Sequence, residues 1–322
     1  MLRKFCALMV GASLVFAGCG KEDDKTILIG IVAKSQSNPV FQAAHTGAKN
    51  AAKELSAKYN VNVQIEILTP TDEDATKQAE AIESLTRRGA KGIAVSCSEA
   101  RTVTPAIDKA VEKGIAVMCF DSDAPESKRF AFYGTDDMAC GQVITAELAK
   151  AMNNKGTIAI IAGSEAAPNL QNRVKGVKAE LAKHPEMKLL ETGGIVYHPE
   201  TPEKAAEAMQ QAQRAHKEIE GWALIGGWPL FTNDALKFAP GTVKVVSCDA
   251  LPPQLAYLKS GHVQALMAQD CYGWGEKSVG ILLEKIINNK APDPIRVVDP
   301  LTKVTKENVD EFGKSWDKWL GK

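Results

Sequence analysis

The chain has 322 residues, too many for one core of ordinary domain size and enough for two. Its 39 lysines and arginines are matched by 39 aspartates and glutamates, so no net field draws it to nucleic acid or to an anionic membrane surface.

Taken from the N-terminus, Arg3 and Lys4 precede an apolar run, Phe5 to Phe16, that is short for a membrane span and ends in Phe16-Ala17-Gly18-Cys19. This resembles a bacterial lipoprotein signal, with Phe16 where leucine is usual. The resemblance implies a signal peptide over 1–18, lipidation of Cys19 and a solvated tether over 19–25. Cleavage without lipidation is the alternative. The remaining cysteines (Cys97, Cys119, Cys140, Cys248 and Cys271) have no metal-ligand or CxxC spacing. Buried thiols acting as small hydrophobes and one internal disulfide both fit an odd number of them.

Ile27 to Val32 reads as a buried parallel strand. A polar loop, Lys34 to Asn38, follows; Asn38 stands where an N-cap belongs and Pro39 fits the first helical turn. The helix carries Phe41, Ala44, Ala48, Ala51 and Leu55 on one face and stops at Asn60. The unit then repeats. Strands are expected over Val61–Ile67, Gly92–Ser96 and Ile115–Phe120, with helices through Ala75–Leu85 and Val103–Val111 and a short further strand over Phe130–Tyr133. A helix with Ile144 and Leu148 leads into a second series of strands, at Thr157–Ala162, Gly193–Tyr197, Ala223–Gly226, Val243–Cys248 and Val263–Ala268. Helices through Val174–Leu181, Pro202–Glu218 and Glu276–Asn288 accompany them, and a Pro-punctuated extended piece precedes a terminal helix with Val309, Phe312 and Trp316 on one face. The pattern predicts an α/β protein of two doubly wound, parallel-sheet lobes. The chain crosses between them three times: residues 26–135 with 270–299 form an N-terminal lobe, and 136–269 with 300–322 a C-terminal lobe.

Asp121 ends the apolar run AVMCFD and Asp249 ends VVSCD, one in each half. Carboxylates at the carboxyl ends of parallel strands face the crevice where such sheets bind ligands, although an aspartate there also serves as a cap or turn residue. Asn38 and Gln269 offer further bidentate hydrogen-bonding groups, and Phe41, Trp228, Tyr272 and Trp274 offer flat apolar faces. A small polyhydroxylated ring needs both kinds of surface. His45 is a further candidate for the cleft, or else an ordinary helix histidine.

The stretches SNPVFQAAHTGAKNAAKEL, FDSD (120–123), NRVKGVKAEL (172–181), VVSCD and ALMAQD (265–270) occur in an order that resembles the periplasmic substrate-binding proteins of ABC importers, in the ribose-binding-like group. The resemblance covers Ile27 to about Val304. It implies the type I fold of such proteins and puts Asn38, Phe41, Asp121, Asp249 and Gln269 at ligand-contacting positions. There are departures. Ser122 and then Asp123 stand where ribose binders carry an arginine after the first aspartate, Gln171 falls on another sugar-binding arginine with Arg173 two residues on, and Trp228 replaces an asparagine. A monosaccharide other than ribose, or a related polyol, is therefore the expected ligand. The resemblance further implies a monomer without a cofactor or metal, located in the periplasm or at the cell surface, that touches the membrane only through its lipid and delivers its ligand to an ABC permease in the inner membrane. A sensory role, handing bound ligand to a chemoreceptor or membrane kinase, is the alternative. A glycosidase built on Asp121 and Asp249 fits poorly, because the two would ride on lobes that move. A sugar-responsive repressor would need a helix-turn-helix where the signal sequence stands.

Overall fold

The computed structural model describes residues 25–319, so the expected signal peptide, Cys19 and nearly all of the tether lie outside the described residues. The first half builds β1 (Thr26–Val32), α1 (Pro39–Tyr59), β2 (Asn62–Ile67), α2 (Ala75–Arg87), β3 (Gly92–Val95), α3 (Ala100–Glu112), β4 (Ala116–Phe120) and β5 (Ala131–Gly134). There follow α4 (Asp137–Ala151), β6 (Lys155–Gly163), α5 (Pro168–Leu181), β7 (Glu186–Leu189), β8 (Ile195–Tyr197), α6 (Pro202–Ala215), β9 (Gly221–Leu224), a short 3-10 turn (Trp228–Phe231), β10 (Lys244–Cys248), α7 (Pro252–Ser260) and β11 (Ala265–Ala268). The chain ends with α8 (Cys271–Asn288), β12 (Arg296–Val298), β13 (Thr302–Val304) and α9 (Val309–Trp319).

The strands form two sheets, in the orders β12-β5-β4-β3-β1-β2 and β13-β11-β10-β9-β6-β7, with β8 also paired to β6. Each sheet is a largely apolar layer at its centre because helices cover both faces: β3, β4, β9, β10 and β11 are buried almost end to end. The chain leaves the first sheet after β5, since α4 packs on β9, β10 and β11, returns after β11 with α8 on β3, β4 and β5, and leaves again between β12 and β13.

One expectation is corrected. The second sheet is not wholly parallel, because β13 pairs antiparallel with β11. It comes directly from β12 of the other sheet without a crossover helix, so nothing turns it parallel. The helix expected from Glu276 starts at Cys271, where the Asp270 carboxylate accepts from Gly273 N at 2.8 Å. The entry to α1 is as expected: Asn38 Oδ1 accepts from Val40 N at 3.2 Å, and Asn60 closes the helix in the left-handed region at φ 52°.

Each lobe holds one close helix pair. A Cβ on Gly47 of α1 would lie 2.1 Å from Tyr272 O of α8, and one on Gly275 of α8 would lie 1.8 Å from Ala44 O. In the other lobe, a Cβ on Gly141 of α4 would lie 2.0 Å from Arg173 O, and one on Gly176 of α5 would lie 2.2 Å from Met138 O. Backbone-to-backbone contact of this kind holds α1 close against α8 and α5 close against α4, and α1 and α5 carry candidate site residues.

Candidate functional site

The carboxyl ends of both sheets meet. From the first come Lys34 after β1, Asp121 after β4 and Thr135 after β5; from the second come Asn169 after β6, His198 and Glu200 after β8, Trp228 after β9, Asp249 after β10 and Gln269 after β11. The two aspartates occupy matching positions. Both are buried, and both adopt the left-handed backbone region, with φ 55° at Asp121 and 64° at Asp249. Few residues besides glycine, asparagine and aspartate enter that region readily.

Asp121 Oδ2 accepts from Ser96 Oγ at 2.6 Å, and Oδ1 accepts from Asn169 Nδ2 of the other lobe at 3.4 Å. Burial raises its carboxyl above the ordinary aspartate range, with Lys34 and Arg173 opposing. Asp249 Oδ2 accepts from Gly227 N at 3.0 Å and Oδ1 from Gln269 Nε2 at 2.7 Å. Gln269 Oε1 in turn accepts from Arg173 Nη2 at 2.7 Å and Thr135 Oγ1 at 2.8 Å. Arg173 spans the floor of the second lobe: Nε donates to Asp137 Oδ1 at 2.9 Å and Nη1 to Ile225 O at 2.9 Å. Burial lifts the Asp137 carboxyl to about 6 against the pull of that arginine.

The aromatic residues divide. Phe41 packs on Trp274 with ring centroids 6.0 Å apart, and Phe120 lies 6.4 Å from the same indole. Trp228 is buried edge-on to His198 at 5.1 Å and covers Gly163 and Gly226. Tyr272 is turned elsewhere, stacked on Trp319 at 6.2 Å and receiving a hydrogen bond from Asn50.

Gln171 is not brought to the cleft. It is exposed and its Nε2 donates to Glu165 O at 2.7 Å. Arg173 points inward from the same helix, and two residues of α-helix turn through ~200°, so Gln171 must face out. Ser122 is fully buried beside Asp121, its carbonyl accepting from Cys97 N and its hydroxyl without a hydrogen-bond partner. The adjacent Asp123 pairs with Arg129 and Arg296. His45 is a satisfied helix histidine: it bonds Thr69 Oγ1 at 3.1 Å, and burial together with Lys49 lowers it to about 4. Cys97, Cys119, Cys140, Cys248 and Cys271 are buried free thiols, with sulfur atoms 4.0 Å apart in the Cys97–Cys119 pair and 3.6 Å in the Cys140–Cys248 pair.

The sequence reading missed Lys34, Glu73, Asn169, His198 and Glu200. Lys34 is fully enclosed: Nζ donates to Asn169 Oδ1 at 3.2 Å and lies 3.7 Å from Glu200 and 3.9 Å from Glu73. Burial works against its charge, but the carboxylates of Glu200, Glu73 and Asp121 outweigh it and hold the ammonium well above the ordinary lysine value. Burial pushes Glu73 up to about 8, Lys34 opposes this, and Glu200 adds to it. A cavity of about 510 Å³ opens between the lobes here, lined by Ser35, Asp72 and Glu73 on one side and Glu165, His198 and Glu200 on the other. Among the described residues, no group of three or more histidines, cysteines or carboxylates is placed to hold a metal ion. No described helix is long and apolar enough to cross a membrane.

Two sheets joined by three crossings, with buried polar groups facing each other across the gap, make a clamshell. A family model described as a periplasmic binding protein domain matches residues 29–290. The chain belongs to the periplasmic binding protein domain family. The xylitol-binding protein of Mycolicibacterium smegmatis is 25% identical to this family member over 312 residues, covering 94% of this chain and 84% of that protein. The D-ribose/D-allose-binding protein of Pseudomonas aeruginosa is 26% identical over 252 residues, 75% of this chain and 76% of that one. Among solved structures, an ABC transporter solute-binding protein from Burkholderia graminis in complex with D-arabinose superposes with a TM-score of 0.80 at 28% identity, covering 89% of this chain and 98% of that one. These periplasmic binding protein relatives are named for what they bind rather than for a reaction.

Proposed function

We propose that the protein captures a monosaccharide or related polyol between its lobes by hinge closure and passes it to an ABC permease in the inner membrane, acting as a binding protein and not as an enzyme. The observation that carries this reading is the set of bidentate groups from both sheets (Asp121, Asn169, Asp249, Gln269 and Arg173) meeting between lobes joined by three strands of chain. Hydroxyl pairs on a small ring satisfy such groups, and Phe41 and Trp228 supply apolar faces for its C–H surfaces. The ligands for which the relatives are named or with which they were solved, xylitol, ribose or allose, and arabinose, are of this class.

In this reading the ligand contacts are Asn38, Phe41, Asp121, Arg173, Trp228, Asp249 and Gln269, and the lobes are 26–135 with 270–299 and 136–269 with 300–322. The chain works as an extracytoplasmic monomer, anchored by lipid on Cys19. Thermal-shift screening against pentoses, hexoses, polyols and amino acids tests the proposal, since a ligand that binds only the folded state raises the melting temperature. Stabilisation by a sugar or polyol is expected. Stabilisation by amino acids alone would overturn it.

A further inference from the structure

We infer that the solute carries a primary amine, an aminated sugar or polyol, and that the amine is held by Glu73, Glu200 and His198 at the inter-lobe cavity. This rests on the sugar-binding reading and adds to it the chemistry of one end of the ligand.

Three buried acceptors at this cavity lack a hydrogen-bond partner: Glu73 Oε1, Glu200 Oε1 and His198 Nε2. Glu200 and His198 are more than nine-tenths buried. The histidine is an acceptor at Nε2 because its Nδ1 lies 2.7 Å from Pro199 O, a carbonyl that can only accept, so Nδ1 carries the proton. Burial lowers its basicity, which keeps the ring neutral. Lys34 does not satisfy the carboxylates. At 3.9 and 3.7 Å it is in ion-pair range of both but beyond hydrogen-bonding distance, and it spends a donor on Asn169. Buried acceptors left without donors are costly. Once Glu73 gives up the proton it holds in the empty site, a ligand ammonium has three N–H donors for these three acceptors.

Charge favours the same group. Asp72, Glu73, Glu165 and Glu200 line the cavity, and the one cationic side chain in ion-pair range of Glu73 and Glu200 among the described residues is Lys34. Two carboxylates against one lysine leave a negative charge uncompensated. Without a bound cation, a proton on Glu73 supplies the compensation, which its elevated basicity permits at neutral pH. A ligand ammonium replaces that proton: R–NH3+ and the Glu73 acid become an R–NH3+/carboxylate pair and one H+ enters the solvent. A neutral sugar has no charge with which to displace it.

The test is calorimetry on the full chain with matched probes: 1-amino-1-deoxy-D-glucitol against D-glucitol, and D-glucosamine against D-glucose and N-acetyl-D-glucosamine. Amines should bind about tenfold tighter or better than their neutral parents, as expected for hydrogen bonds to charged groups, and N-acetylation should remove the gain. Titrations near pH 7 in buffers of different ionisation enthalpy should show proton release with the amine alone. Glu200→Gln should bring the ratio of amine to neutral affinity close to one. The proton-release measurement on the unaltered protein stands even if that variant folds poorly. Neutral parents binding as tightly as the amines, or amine binding without proton release, would overturn the inference and leave sugar capture standing. Binding of no sugar or polyol, aminated or neutral, would overturn both.

Discussion

Asp121 and Asp249 share a backbone conformation, φ 55° and 64°, that few side chains tolerate, and each sits one residue past the end of a central strand. The repeat in both lobes ties the unusual backbone to the cleft and not to a local accident of folding. It also separates two effects of mutation. Alanine at either position loses the carboxylate and is disfavoured in the left-handed region; asparagine keeps an acceptor and tolerates that backbone. Asp121→Ala or Asp249→Ala should therefore lose at least about 2 kcal/mol of ligand binding and some stability, whereas Asn variants should keep stability and lose part of the binding. Calorimetry with the ligand found by screening, alongside thermal unfolding, checks both, and wild-type affinity in the alanine variants would remove the aspartates from the site. The matching positions of this pair were legible in the sequence because an aspartate that ends an apolar run in each half is conspicuous. Lys34, Glu73 and Glu200 were not. They stand in loops without periodicity, where a charged residue ordinarily reads as solvated, and only the approach of β1, β2 and β8 ends from different sheets encloses them.

At the level of elements, the central strands were legible for one reason: helices cover both faces of each sheet, so the strands must be apolar throughout. Where that condition fails, legibility fails. Edge strand β7, EMKL, exposes Glu186 and Lys188, and α7 opens with Pro252-Pro253, which reads as a turn. The glycine contacts between α1 and α8 were invisible as well, because nothing in a helical pattern says that another backbone lies against it. Helix α8 offers a test with its own control. Gly275→Ala drives a methyl to 1.8 Å from Ala44 O, so the helices must part, at about 1–3 kcal/mol. Gly280, on the same helix, has nothing within 4 Å of the position its Cβ would take. There alanine should stabilise, by about 0.5–1 kcal/mol from helix propensity. Thermal melts should thus shift in opposite directions for the two substitutions, and equal shifts would show that α8 does not press on α1 as described.

In the whole molecule the lobes meet through Lys34–Asn169, Asn169–Asp121 and Lys34–Glu200 contacts, and the second lobe reaches the first again where Gln269 accepts from Thr135. Opening the hinge would carry Glu73 away from Glu200 and return both to water, so the Glu73 carboxyl falls from about 8 towards its ordinary value of 4.5. At Glu73 the closed form then binds more protons than the open one between those limits. By linkage, the closed form gains fully from Glu73 below about pH 4.5 and loses that gain as pH rises through about 8; a shift of this size is worth a few kcal/mol at most. Lys34 does not blur the trend, since its raised basicity leaves it charged throughout the interval. Ligand-free protein should accordingly be more compact at pH 5.5 than at pH 9 by small-angle scattering, and Glu73→Gln should flatten the difference. A radius of gyration that does not change with pH in the unaltered protein would mean that the Glu73–Glu200 approach does not contribute to closure, which would then rest on the remaining contacts between the lobes, those of Lys34, Asn169 and Gln269 among them.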